Sequence, residues 1–274
     1  MIDLAKADTS PAWCPGCGNF LLLKTFDEAL DEAGVDRGGL VLVSGIGQAA
    51  KLPHYTRANV FNGLHGRALP AATGIKLANH ELEVVVTSGD GDMYGEGGNH
   101  LLHAFRRNIG VKLFVHNNQV YGLTKGQASP TSDPGFVTKV QTHGVIVEPV
   151  RPLALAIVEG CSLAMRSFAG NREHLKAMMV TALKHSGGTV LLDILQPCVT
   201  FNQVNTYRWY KERVQPVDDD HDPTDFEAAM RLAMQWGDEI PIGIIYRSDR
   251  ESFESRQPAL ANGTLVEQFE QAAG

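Results

Sequence analysis

The residues of this chain best suited to chemistry lie between Val84 and Asn118. An apolar stretch, Val84-Val85-Val86-Thr87-Ser88, runs into Gly89-Asp90-Gly91-Asp92, and a second apolar run closes on His116-Asn117-Asn118. That is the outline of a magnesium diphosphate site. Mg²⁺ takes oxygen ligands in a tight octahedron and binds proteins through one or two carboxylates, with phosphate oxygens and water completing the shell. Asp90 can supply the carboxylate, and the Asn118 amide oxygen and the main-chain carbonyl of Val120 two neutral oxygens. Gly89 and Gly91 are read as turn points where a side chain would collide with the ligand, and Gly97 and Gly98 as the opening of a helix whose amides face phosphate.

A Gly-Asp-Gly triplet alone is most simply a turn after a strand. Here it precedes a helical stretch over residues 98–108 and a strand over 111–116, and Asn118 lies 28 residues beyond Asp90. Two strand ends can therefore sit side by side, and open parallel sheets bind ligands beyond the carboxyl ends of their strands.

The elements that must position these residues follow from periodicity. Leu22, Phe26, Ala29, Leu30 and Ala33 fall on one face of a helix over 20–33, which Gly34 ends. Leu40-Val41-Leu42-Val43 reads as a buried strand entering Ser44-Gly45-Ile46-Gly47, and 69–79 as a helix opening near Pro70. Beyond Asn118 comes a polar loop over 121–134, long enough to be functional. A strand near 145–147, helices over 152–165 and 172–185, and a strand over 189–195 follow. Met178-Met179 reads as core on its helix. Strands alternating with helices predict an α/β fold, a parallel sheet flanked by helices on both faces. One domain over 1–204 carries the chemistry. Residues 205–274, with Asp218-Asp219-Asp220 and Pro216, Pro223, Pro241 and Pro258, read as an extended C-terminal extension packing on the same domain or on a partner.

Composition narrows the function classes. A chain of 274 residues with 43% apolar residues can bury a sizeable core. The net charge of −7 argues against nucleic acid as main partner, since phosphate backbones need a basic surface. No uninterrupted apolar run is long enough to span a membrane, and Met1-Ile2-Asp3-Leu4-Ala5-Lys6 lacks the sections of a signal peptide, so the expected location is cytoplasmic. Disulfides are not expected there. The cysteines are Cys14, Cys17, Cys161 and Cys198. Cys14-x-x-Cys17 alone is compatible with a redox dithiol, half a zinc site, cluster ligands or a buried structural pair.

The run from Gly89-Asp90-Gly91-Asp92 through Asn117-Asn118 and Tyr121-Gly122-Leu123-Thr124-Lys125 resembles the thiamine diphosphate motif. With Trp13-Cys14-Pro15-Gly16-Cys17-Gly18-Asn19, Ser44-Gly45-Ile46-Gly47, the segment from Phe61 to Pro70 and Gln196-Pro197-Cys198, it resembles the beta subunits of 2-oxoacid:ferredoxin oxidoreductases. The resemblance covers about residues 10–210 and weakens beyond. It implies the thiamine diphosphate-binding fold, with Mg²⁺ on Asp90, Asn118 and Val120. It implies cofactor contacts from Gly47, Gly89, Asp90, Gly91, Asp92, Asn118, Val120, Gly122, Leu123 and Thr124. Lys51, His65, Arg67, Leu123 and Lys125 are the candidates for meeting substrate or shaping its pocket. A surface lysine, a packed histidine and an ion-paired arginine are the plainer readings of Lys51, His65 and Arg67.

The same resemblance implies a 4Fe-4S cluster on four cysteines, of which Cys14, Cys17 and Cys198 match; the position after Gly47 is Gln48. Three thiolates fall short of the usual four. A non-cysteine fourth ligand such as His54 or solvent, a labile or altered cluster, and a lost cluster all remain open. Cys161 reads as a small buried residue of the 152–165 helix. The implied reaction is oxidative decarboxylation of a 2-oxo acid, such as pyruvate or 2-oxoglutarate, with coenzyme A taking the acyl group and ferredoxin the electrons. The implied partner is an alpha subunit in an (αβ)₂ assembly, which carries the glutamate that thiamine chemistry requires. A non-oxidative thiamine-dependent decarboxylase or carboligase subunit is the nearer rival, and a non-enzymatic subunit holding zinc on the C-x-x-C pair the further one.

Overall fold

The computed structural model describes residues 10–273; Met1 to Lys6 lie outside them. The chain builds helix α1 (Gly18–Ala33), strand β1 (Leu40–Ser44), β2 (Asn59–Asn62), α2 (Ala68–Ala78), β3 (Glu83–Gly89), α3 (Gly98–Arg107) and β4 (Lys112–Asn117). A small hairpin, β5 (Val120–Tyr121) and β6 (Gln127–Ala128), follows. Then come α4 (Pro152–Val158), β7 (Leu163–Phe168), α5 (Arg172–Lys184), β8 (Val190–Leu195), α6 (Tyr207–Lys211), β9 (Val214–Pro216), α7 (Phe226–Met234), β10 (Ile240–Arg247) and α8 (Leu265–Ala273).

Eight strands form one sheet in the order β2-β1-β3-β4-β8-β7-β10-β9. Every pairing within it is parallel except β10 with β7. Strand residues alternate between two cores, as the period-2 pleat requires. Val41, Val43, Val84, Val86, Leu113 and Val115 face one core, with Leu69, Leu101, Phe105, Leu153 and Ala229 from α2, α3, α4 and α7. Leu40, Leu42, Val85, Phe114, Leu192 and Ile194 face the other, with Leu22, Phe26, Leu175 and Met179 from α1 and α5. Strands buried on both faces read as continuous apolar runs, which made them legible. Helix α1 stops where Gly34 takes φ +72°. Among the described residues no helix is long and apolar enough to cross a membrane.

Four expectations are corrected. The stretch 152–165 is not one helix: Gly160 takes φ +76°, and residues 163 onward form β7. Cys161 is fully buried, at the turn between α4 and β7. No strand forms at 145–147, where Val145 is tied to Phe136 while Ile146 is 91% exposed. Residues 205–273 are not an extended tail, because β10 and β9 continue the main sheet and α7 packs on its first core.

Candidate active site

Strands β1, β3, β4 and β8 are consecutive neighbours, and their carboxyl ends lie together. Each delivers one piece of the site: Gly45 to Gln48 follow β1, Asp90 follows β3, Asn118 follows β4, and Gln196 to Cys198 follow β8. The hydrogen bond from Gln196 N to Asn117 O, 2.9 Å, extends the ladder to the point where these loops diverge.

The chain does not turn sharply at Gly89-Asp90-Gly91. Asp90 has helical angles, φ −58° and ψ −41°, and leads into a single π-helical turn, Gly91–Glu96, closed by Gly97 N to Asp92 O at 2.8 Å. Glycine is needed at 91 for room, since a Cβ there would sit 2.2 Å from the Tyr121 ring. At Gly89 a Cβ would meet nothing closer than 3.9 Å. Gly97 and Gly98 open α3 at φ values outside the left-handed region.

Asp90 is buried, and its Oδ2 accepts from Ser129 Oγ at 2.5 Å and from Thr131 Oγ1 at 2.6 Å. Thr131 has a single proton to share with Asn117 Oδ1, 2.9 Å away. Asn117 in turn donates to Asp193 Oδ1 at 3.0 Å, and Asp193 also receives Tyr94 Oη and Arg166 Nε. Burial pushes the Asp90 carboxyl up to about 6, against the opposing pull of Ser129, Thr131 and the Asn118 amide. It is a carboxylate short of positive charge.

Asp92 is differently used. Its Oδ2 accepts from Ser88 Oγ at 2.6 Å, and its Oδ1 from Ile46 N at 3.1 Å and Gly66 N at 2.8 Å. It pins the loop after β1 and the His65-Gly66 turn against the π-helical turn. Gly45 lies so close that a Cβ there would stand 1.9 Å from Asp92 Oδ2.

A cavity opens over these residues. Gly47, Gly89, Asp90, Gly91, Asp92, Asn118, Val120, Gly122, Leu123, Thr124 and His65 all line it, as do Gln48, Glu96 and Tyr121. No lysine or arginine is among its described lining residues. Three carboxylates and no fixed cation make the lining suited to a cation rather than to a bare anion. The donor set fits Mg²⁺: one buried carboxylate on Asp90 beside the Asn118 amide and the Val120 backbone.

Other candidates stand elsewhere. His65 lines the cavity but its Nδ1 pairs with Glu96 Oε2 at 2.6 Å. Arg67 is exposed and contacts His100. Lys51 sits in the 3₁₀ segment Ala49–Tyr55, and Lys125 is exposed with φ +76°. The last three do not line the cavity.

A second cavity adjoins the first. Cys14, Cys17 and Cys198 line it together, with Gln48, Gln196 and Asn19. All three cysteines are free thiols. Burial raises the Cys17 thiol, and the neighbouring Cys198 and Cys14 sulfurs add to that. Gln196 Nε2 donates to Cys17 Sγ at 3.6 Å. His54 is exposed and not among the lining residues. Gln48, Asn118 and Gly122 line both cavities and form the wall between them. Three converging thiols, with no lysine or arginine among the described lining residues, fit a soft metal centre.

The comparisons with known proteins match this geometry. Residues 38–194 match the model of the thiamine pyrophosphate enzyme C-terminal TPP binding domain, and 198–262 that of the C-terminal part of the pyruvate ferredoxin oxidoreductase beta subunit. The chain is 41% identical over 280 residues to the 2-oxoacid:ferredoxin oxidoreductase subunit beta of Sulfolobus sp, covering 96% of this chain and 92% of that one. It is 45% identical over 258 residues to that of Saccharolobus solfataricus, covering 89% and 84%. The chain belongs to the 2-oxoacid:ferredoxin oxidoreductase beta subunits. The fold of this beta subunit superposes with TM-score 0.89 and 33% identity on 2-oxoglutarate:ferredoxin oxidoreductase from Magnetococcus marinus, solved with 2-oxoglutarate, coenzyme A and succinyl-CoA bound, over 100% of this chain and 92% of that one. The beta-subunit name implies an alpha-subunit partner, and residues 38–194 are of the thiamine pyrophosphate-binding family.

Sequence reading missed the residues that hold the site in place. Ser129 and Thr131 lie in the loop read only as polar, Tyr94 lies in the turn Gly91–Glu96, and Arg166 and Asp193 sit on strands whose apolar pattern masked them. Only the run Ser129-Pro130-Thr131-Ser132, dense in hydroxyls, carried a signal.

Proposed function

We propose that this beta subunit binds thiamine diphosphate through Mg²⁺ held by Asp90, the Asn118 side chain and the Val120 carbonyl. With its alpha subunit it converts a 2-oxo acid and coenzyme A to acyl-CoA and CO₂, passing electrons to ferredoxin in the cytoplasm. The observation that carries the reading is the shared wall: a carboxylate-lined cavity and a three-thiol cavity meet at Gln48, Asn118 and Gly122. Thiamine diphosphate supplies the electron sink that decarboxylation of a 2-oxo acid requires. Asp90 supplies the negative charge that fixes the cation, and the Ser129 and Thr131 hydroxyls hold its carboxylate in one orientation. Tyr121 closes the cavity against Gly91, with its Oη donating to Gly91 O at 3.1 Å. Leu123 gives the mouth an apolar wall, and Thr124 and Gly122 contact the diphosphate. Cys14, Cys17 and Cys198 would hold an iron–sulfur cluster beyond the wall, and that cluster would supply a one-electron acceptor. His65, paired with Glu96 at the rim, is placed to meet the substrate carboxylate. Lys51, Arg67 and Lys125 remain candidates for substrate contact through the alpha subunit's side of the site.

Calorimetric titration of thiamine diphosphate into the αβ complex tests the reading. Binding is expected to require Mg²⁺ and to vanish in Asp90→Ala with the complex still assembled. Undiminished affinity in that variant would refute the assignment.

A further inference from the structure

The thiol cavity contains two features that a four-cysteine site would not need. Gln48 stands directly after Gly47, where the resemblance calls for the fourth cysteine, and its side-chain Oε1 is buried without a hydrogen-bond partner. Gln196, 1% exposed and lining the same cavity, also has an unpartnered Oε1, but its Nε2 is engaged by the Cys17 sulfur. A buried amide oxygen without a protein partner is costly and is left available to a group held in the cavity. Trp13 holds the Gln48 backbone by donating Nε1 to its carbonyl at 2.9 Å, which leaves the side-chain oxygen for the cavity.

We propose that the Gln48 amide oxygen is the fourth ligand of the cluster, making it a site-differentiated centre with three thiolates and one neutral oxygen. The inference rests on the cluster reading above and deepens it. An amide oxygen is a harder, weaker ligand for iron than thiolate, so the iron it holds is the labile one. A neutral ligand also leaves the cluster one charge less negative, which raises its reduction potential relative to an all-thiolate site. Gln48 lines both cavities, so the proposed ligand belongs to the wall shared with the carboxylate-lined cavity. Mild oxidation by ferricyanide then removes one electron to the oxidant and one ferrous ion to solvent, leaving a three-iron, four-sulfide core on Cys14, Cys17 and Cys198.

The test compares anaerobically purified αβ complexes of the wild type, Gln48→Cys, Gln48→Ala and Gln196→Ala, by iron and sulfide content, EPR and redox titration. The wild type is expected to hold about four irons and four sulfides in this site, to lose about a quarter of that iron on ferricyanide treatment, and to give a three-iron EPR signal. Gln48→Cys should retain its iron, give no such signal and titrate at a lower potential. Gln48→Ala should lose the fourth iron without oxidant. Iron retention and potential indifferent to residue 48 would overturn the inference while leaving the cluster reading intact. So would iron loss that follows Gln196→Ala instead of Gln48→Ala. A wild type without iron that gains a full cluster only as Gln48→Cys would show that the amide does not ligate. Iron absent from every variant would overturn both readings.

Discussion

Asp90 is a carboxylate that burial disfavours in its charged form. Folding raises it from 3.8 to about 6. Between those values the folded state binds the proton more tightly than the unfolded one, so stability falls as pH rises, and the full cost of the buried charge is present above about 6. Under the proposed function, magnesium would compete with that proton. We predict that Mg²⁺ affinity, measured by titration at fixed thiamine diphosphate, is flat above pH 6 and weakens about tenfold per unit below it. A flat profile to pH 5 would show that Asp90 does not carry the metal. Thr131→Val should weaken the same affinity about 10–100-fold, with the complex intact, by releasing the carboxylate. Gly45→Ala should abolish cofactor binding, because its Cβ would displace Asp92 and with it the Ile46 and Gly66 amides; unchanged calorimetric affinity would count against that role for Asp92. That Asp90 and Asn118 line one cavity and the three cysteines another was legible because each lies at or near the end of an element. Ser129 and Thr131 were not, because a hydroxyl reaches Asp90 only through the fold of the intervening loop.

At the scale of elements, Asn108 is the joint. It caps α3 at φ 60°, and its buried side chain donates to the carbonyls of Gly187, Arg250 and Glu251 while accepting from Ser162 Oγ and Thr189 N. It thus ties the end of α3 to the starts of β7 and β8 and to the chain after β10. Asn108→Ala leaves buried groups unpaired and is predicted to cost about 2–3 kcal/mol, read from chemical denaturation of the αβ complex. A shift within the usual scatter of surface substitutions would contradict it. Helices α1, α2, α3 and α5 and strands β1, β3, β4 and β8 were readable because burial on one helix face or both sheet faces leaves a regular pattern. Strand β7 was not, since Cys161 to Met165 continues the apolar character of α4 and only Gly160 marks the break. Strand β10 was hidden by Pro241, one of the prolines on which the extended-tail reading rested. Pro241 pairs there with the short β9, and Gly243, at φ +138°, precedes the register shift between Ile244 and Tyr246.

For the whole molecule, the last quarter of the chain is part of the sheet that positions the site. Removing β10 would uncover the edge of β7 and strip Ile240 and Ile242 from the cluster they form with Phe168, Leu195 and Tyr210. A chain ending at residue 204 is predicted to be insoluble or to fail to join its alpha subunit; a soluble, assembling truncation would show that 205–274 is dispensable. The account as a whole joins a thiamine site to an iron–sulfur site across one wall, so it requires that decarboxylation and electron release be coupled. The most direct measurement is anaerobic turnover of the αβ complex with a 2-oxo acid, coenzyme A, thiamine diphosphate and Mg²⁺, following CO₂, acyl-CoA and ferredoxin reduction together. One electron pair reaching ferredoxin for each acyl-CoA and CO₂ is the predicted result. Release of CO₂ without ferredoxin reduction would contradict the account and identify a non-oxidative thiamine enzyme.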